Sequence, residues 1–193
     1  MSNGNMHEPI LEVIIGCMFS GKTEELARRI RRLQHASKLE DWTQSYLVAV
    51  PKTAARLDRG IGKLLKKRGV HRLNDPAEIF EILMPEQRVV AFDEAQFFSP
   101  NLIEVAERLV RVEQRRVIIS GLNVDFMARP WETMTPIICR AEDIYLCLAV
   151  CAACGKNRAV RSQRLSFSTN LNDSGKKERY EARCLACFEP PTD

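Results

Sequence analysis

The chain has 193 residues, 45% hydrophobic and 28% charged, a balance that suits one or one and a half packed domains and argues against long disorder. Its formal charge of +4 is too mild to mark a nucleic-acid binder and fits polyanionic small molecules equally well. No apolar run approaches the roughly 20 residues of a membrane span, and the polar start, Met1 to Pro9, reads as a frayed tail rather than a secretory signal or an anchor.

Apolar runs with strand character recur at Leu11 to Ile15, Tyr46 to Val50, Val89 to Phe92, Val117 to Ile119 and Ile144 to Val150. After Lys22, Leu26, Ile30 and Leu33 fall at i, i+4 and i+7, one face of an amphipathic helix. Lys52 to Arg72 is basic, contains Gly60, Gly62 and Gly69, and has no clear period, so it reads as a mobile loop. Asp75 and Pro76 form an N-cap and N1 pair that opens a short helix through Ile79, Ile82 and Leu83. Ser99-Pro100 opens another, with Leu102, Val105, Leu109 and Val112 on one side. Strand alternating with helix predicts an α/β fold, a mostly parallel sheet covered on both faces, with ligands beyond the carboxyl ends of its strands. The pattern stops near Val150. Residues 11–150 are therefore expected to form one core and 151–188 a second, small module, with tails at 1–10 and 189–193.

Gly16-Cys17-Met18-Phe19-Ser20-Gly21-Lys22-Thr23 matches the P-loop pattern at every fixed position, after a predicted strand and before a predicted helix. The glycines let the backbone wrap round phosphates with its N–H groups inward, and the helix N-terminus adds partial positive charge. Lys22 is expected to reach the β- and γ-phosphates, and the Thr23 hydroxyl to help hold Mg²⁺. The competing reading is a chance match in an ordinary turn.

Val89 to Phe92 ends in two carboxylates, Asp93 and Glu94. A strand ending here, next to the P-loop strand, places Asp93 at the Mg²⁺ site and leaves Glu94 free to take a proton from a nucleophile. General-base help of this kind contributes about 10² to 10⁴ in rate. The bland alternative is a solvated loop after a strand. Arg28, Arg31 and Arg32 share a helical face, which could bind phosphate or nucleic acid; more commonly such a run is a solvated surface or a subunit contact.

Seven cysteines without a signal peptide favour metal over disulfides. Cys151-x-x-Cys154 and Cys184-x-x-Cys187 are two knuckles that together make a four-thiolate zinc site, structural because no coordination position is left for water. Zinc binding of roughly 10 to 16 kcal/mol could fold a segment too small to own a core. The long interval between the knuckles must loop away from the metal, a plausible lid. Redox thiols or buried core cysteines are the other readings. Cys139 and Cys147, in apolar context, are expected in the core; Cys17 has no such partner.

Met18-Phe19-Ser20-Gly21-Lys22-Thr23, then Asp93-Glu94-x-Gln96-Phe97-Phe98, then Gly121-Leu122, then the paired knuckles and Tyr180-Glu181-Ala182-Arg183-Cys184 resemble the zinc-containing thymidine kinases of bacteria, animals and large DNA viruses, from about Glu12 to Cys187. The resemblance implies a RecA-like P-loop core, a zinc module whose lasso loop folds over thymidine, and transfer of the ATP γ-phosphoryl to a 5′-hydroxyl for cytoplasmic nucleotide salvage, with deoxyuridine a second acceptor. It implies that Gly16, Cys17, Met18, Phe19, Ser20, Gly21, Lys22, Thr23, Asp93, Glu94, Ala95 and Gln96 form the nucleotide site, with Glu94 the general base and Thr23 and Asp93 at the magnesium. Met18, Phe97, Leu122, Phe126, Gly175 and Tyr180 are implied to contact the nucleoside, and Phe98 adds apolar surface. A homotetramer and feedback by dTTP are implied too. The chain departs from the family at Cys17, a common proline; at Asn123, often Asp; at Ala54-Ala55-Arg56; along Phe126-Met127-Ala128-Arg129-Pro130-Trp131; and in the lasso, Asn172 to Lys177. The alternative is a RecA-like ATPase acting on nucleic acid through a zinc ribbon, because a Glu beside the metal-site Asp can activate water as well as a sugar hydroxyl.

Overall fold

The computed structural model describes residues 8–36, 45–54, 60–66, 68–165 and 180–190. A six-stranded parallel sheet forms the centre: β1 (Ile10–Gly16), β2 (Tyr46–Pro51), β3 (Val70–Leu73), β4 (Val89–Phe92), β5 (Arg116–Gly121) and β6 (Asp143–Cys147), in the order β3-β2-β4-β5-β1-β6. Side chains alternate across each strand. In β1, Leu11, Val13 and Ile15 join the core under α3 (Ile79–Ile82), α4 (Leu102–Arg111) and α5 (Met134–Arg140), while Ile14 joins the opposite core under α1 (Lys22–Ala36) and α2 (Ile61–Leu64). Both faces of the four inner strands, β1, β2, β4 and β5, are buried, so these strands read as near-continuous apolar runs.

Glu12 is the exception on β1. It is buried and paired with Arg29 of α1 and Arg116 of β5, which locks helix to sheet. Arg28 is spent on Glu25 at 2.6 Å, and Arg31 donates to the Leu64 carbonyl at 2.6 Å. Two of the three arginines that share a face are thus committed within the chain.

Asp75 caps its helix as the sequence predicts: its carboxylate accepts from Ala77 N–H at 2.8 Å, and Glu78 completes a capping box. The first turn, Pro76–Glu78, is 3₁₀ before α3 begins. Four expectations are corrected. Lys52 to Arg72 is not all loop, because it contains α2 and the first three residues of β3. β3 is an edge strand with one neighbour, and its exposed His71 and Arg72 hide any apolar alternation. Ile144 to Val150 is two strands: β6 closes the central sheet, and after Leu148, β7 (Ala149–Val150) pairs antiparallel with β8 (Asn157–Ala159). Val112 lies past the end of α4 and is exposed, unlike Leu102, Val105 and Leu109. Cys139 is exposed on α5, whereas Cys147 is buried as expected.

A last ladder joins β9 (Arg161–Arg164) to β10 (Tyr180–Arg183), antiparallel. β7, β8 and β10 and the knuckles share a small core of Ala149, Cys151, Ala159, Ala182 and Cys184, with Cys187 packed against it and Cys154 exposed. Cys17 of the P-loop packs into that same core. Gly175 and the stretch from Asn172 to Lys177 lie outside the described residues, as does Arg56.

Candidate active site

β1 delivers the chain to the P-loop at its carboxyl end, and α1 takes it away from Lys22 onward. Gly16 has no room for a side chain: a Cβ would strike the Cys147 carbonyl and lie 2.6 Å from Ser20 Oγ. Gly21 has φ +83° and Phe19 φ +65°, both left-handed, which folds the loop back on itself. The Cys17 carbonyl accepts from Ser20 Oγ at 2.8 Å and from Lys22 Nζ at 2.7 Å. Lys22 is thereby held over the loop in which phosphates would lie.

Asp93 follows β4. The sequence pattern predicts β4 directly beside β1, but β5 lies between them. The reach is made all the same: Thr23 Oγ1 donates to Asp93 Oδ2 at 3.1 Å. Strand order depends on pairings between distant segments and leaves no local trace. Burial, reinforced by the neighbouring Glu94 charge, pushes the Asp93 carboxyl up to about 7. An all-oxygen pair of a hydroxyl and a desolvated carboxylate is the donor set a hard cation such as Mg²⁺ takes.

Glu94 has left-handed backbone, φ +53° and ψ +37°, a conformation costing a non-glycine residue of order 1–3 kcal/mol that is found disproportionately at active sites. It turns the chain sharply off β4 into the 3₁₀ turn Ala95–Phe97. Its carboxylate accepts from Gln96 Nε2 at 2.7 Å, and Gln96 Oε1 accepts from Leu122 N–H at 3.0 Å. Buried Gln96 therefore ties Glu94 to the first residue of the loop after β5. Ala95 is buried beneath the turn.

The aromatic residues divide. Phe97 is partly exposed and meets Trp131 edge to face, with centroids 5.7 Å apart. Phe98 is core, packed edge to face on Phe92 at 5.7 Å. Met18 and Leu122 are half-buried, and Phe126 and Tyr180 are buried. Phe126 and Tyr180 are brought together by a residue the sequence reading passed over, Arg164, whose guanidinium lies over both rings. Ser162 was also passed over; its hydroxyl accepts from Met18 N–H at 2.9 Å. In Arg161-Ser162-Gln163-Arg164 the two buried residues are Ser and Arg, so no apolar alternation announces a strand. Only their position within the long interval between the knuckles could draw attention to them.

The sulfurs of Cys151, Cys154, Cys184 and Cys187 all lie within 4.8 Å of one another, with Cys154 and Cys184 at 3.9 Å. Tetrahedral zinc with bonds of about 2.3 Å would set its sulfurs roughly 3.8 Å apart. The residues fit zinc, and 3.9 Å is far beyond a disulfide. Hydrogen bonds from the backbone, that of Cys184 foremost, lower the Cys151 thiol to about 6, favouring the thiolate a metal needs.

A P-loop at the end of a parallel sheet, a hydroxyl–carboxylate pair and a second carboxylate held beside it have the arrangement of a P-loop nucleotide-binding protein. The sequence model of the thymidine kinase family matches residues 9–188, nearly the whole chain. The thymidine kinase of Rhodothermus sp. (strain ITI 518) is 39% identical, over 94% of this chain and 82% of its own length. That of Bdellovibrio bacteriovorus is 36% identical over 95% and 87%. This chain belongs to the thymidine kinase family. A solved structure, flagellar accessory protein FlaH from Methanocaldococcus jannaschii, aligns over 84% of this chain and 75% of its own at 14% identity and a TM-score of 0.44.

Proposed function

We propose that the chain transfers the γ-phosphoryl group of ATP to the 5′-hydroxyl of thymidine, with Glu94 as the general base. The observation behind this reading is the left-handed Glu94, held by Gln96 and set next to an Asp93 that is bonded to the P-loop's Thr23. One carboxylate is committed to the phosphate side, and the other is free to accept the acceptor's proton. Residues Gly16 to Thr23 would cradle the phosphates, with Thr23 and Asp93 holding Mg²⁺, which when bound neutralises phosphate charge. Met18, Phe97, Leu122, Phe126 and Tyr180, with Gly175 of the lasso, would form the nucleoside slot. Zinc on the four cysteines would be structural and would root residues 151–188 against the core at 11–150.

ATP-dependent phosphorylation of a panel of nucleosides tests the reading. Thymidine is expected to support ADP formation best, with deoxyuridine next; a panel with no active nucleoside would end it. The nucleic-acid ATPase loses ground, because two of the three arginines on the basic face are already paired within the chain and the family is one of nucleoside kinases.

Three finer readings accompany it. Feedback by dTTP fits a site that offers a base slot and a triphosphate cradle together, and competition of dTTP with both substrates would test it. Homo-oligomer formation, to a tetramer, is supported by β6, a sheet-edge strand with Ile144, Tyr145 and Leu146 exposed at 50%, 45% and 47%; sedimentation would decide it. Work in the cytoplasm suits cysteines that are all free. No helix among the described residues is long and apolar enough to cross a membrane.

A further inference from the structure

Arg164 ends β9 and is 5% exposed. The β9–β10 register sets it opposite Tyr180, and its guanidinium lies 5.3 Å from the Tyr180 ring centroid. The same guanidinium lies 4.1 Å from the centroid of Phe126, which belongs to the loop after β5 and not to the cysteine module. Both rings are buried. A buried cation is costly to desolvate, and an aliphatic side chain would fill the space without that cost. The planar guanidinium does something an aliphatic chain does not: it stacks, and two rings gripped by one plane hold a fixed separation.

We propose that Arg164 is a positioning residue for the nucleoside, setting the spacing of two aromatic walls, one from the kinase core and one from the cysteine module. The proposal rests on the assignment of Phe126 and Tyr180 to the nucleoside slot. Arg164 itself touches neither the phosphates nor the acceptor hydroxyl in this role. Its loss therefore separates binding of the nucleoside from binding of ATP.

The test uses the full, zinc-loaded chain as wild type, Arg164→Met and Arg164→Lys. Arg164→Met is expected to raise the KM for thymidine about tenfold while the KM for ATP stays within about twofold, and Arg164→Lys, a cation without the plane, to fall between. In the substrate-free proteins, the aromatic NMR signals of both Phe126 and Tyr180 should shift together in Arg164→Met. A thymidine KM that stays within about twofold of wild type, or two KM values that rise in step, overturns the proposal and leaves the kinase reading standing. A wild type that phosphorylates no thymidine removes the kinase reading; the ring signals then judge the clamp by themselves, and signals unmoved in either variant overturn it. If Arg164→Met does not fold, Arg164→Lys decides on the same criteria with an expected rise of about threefold.

Discussion

Asp93 and Glu94 stand at the end of a strand with neighbours on both sides in a six-stranded sheet, whereas the four cysteines lie in the segments that follow two short strands, β7 and β10, beside a core of a few small side chains. The first arrangement inherits its rigidity from more than a dozen buried aliphatic and aromatic residues on each face. The second has alanines and cysteines where a core would need leucines, too little apolar surface to order a chain. The contrast teaches where each site would draw its precision: the candidate nucleotide site from packing, the cysteine module from a metal that its four thiolates fit. The two are joined at few points, and one of them lies in the P-loop itself.

The contrast is broken most forcefully by removing zinc. Chelation, or Cys154→Ser, is expected to strip hydrogen-exchange protection from β8, β9 and β10 almost completely while β1, β4 and β5 keep theirs. Protection retained in the ladders without metal would mean that the module has a core of its own, and the distinction between the two regions would fall.

Glu94→Gln tests the opposite region. Gln preserves the shape and can still accept from Gln96, so the left-handed turn should survive. Turnover is expected to fall by about 10² to 10⁴ with ATP binding within about twofold. Unchanged turnover would show that the strained residue is structural.

Legibility in the sequence follows the same division. The P-loop, Asp93 and Glu94 could be read because each sits at the junction of an apolar run and a fixed polar pattern, and local rules govern both. The four cysteines could be read because knuckle spacing is local too. The position of β5 between β1 and β4 could not, since parallel pairing joins segments far apart in the chain. β3 was hidden by the exposed polar residues of an edge strand. The helix α5 was hidden by Pro136 near its start and by a face that buries only Met134 and Ile137. Arg164 and Ser162 were hidden for a third reason: they are buried polar residues, and a reading that equates burial with apolarity passes over them.

The smallest effect is the most informative about the joint. By sequence alone the side chain of Cys17 has no evident task. In the structure its thiol is buried in the module's core and donates to the Ala159 carbonyl at 3.4 Å, one residue from a P-loop N–H that donates to Ser162. Burial raises its pKa, so the thiol stays protonated and able to donate. Cys17→Ala deletes one weak hydrogen bond and one buried sulfur, about 1 kcal/mol of stability. If the thiol does pin the P-loop to the module, that loss should appear as faster amide exchange at Met18 and at Ala159 alike, with a modest rise in the KM for ATP. Faster exchange on one side only would place Cys17 as filler in a single region and leave the hydrogen bond from Met18 N–H to Ser162 as the contact that ties the P-loop to β9.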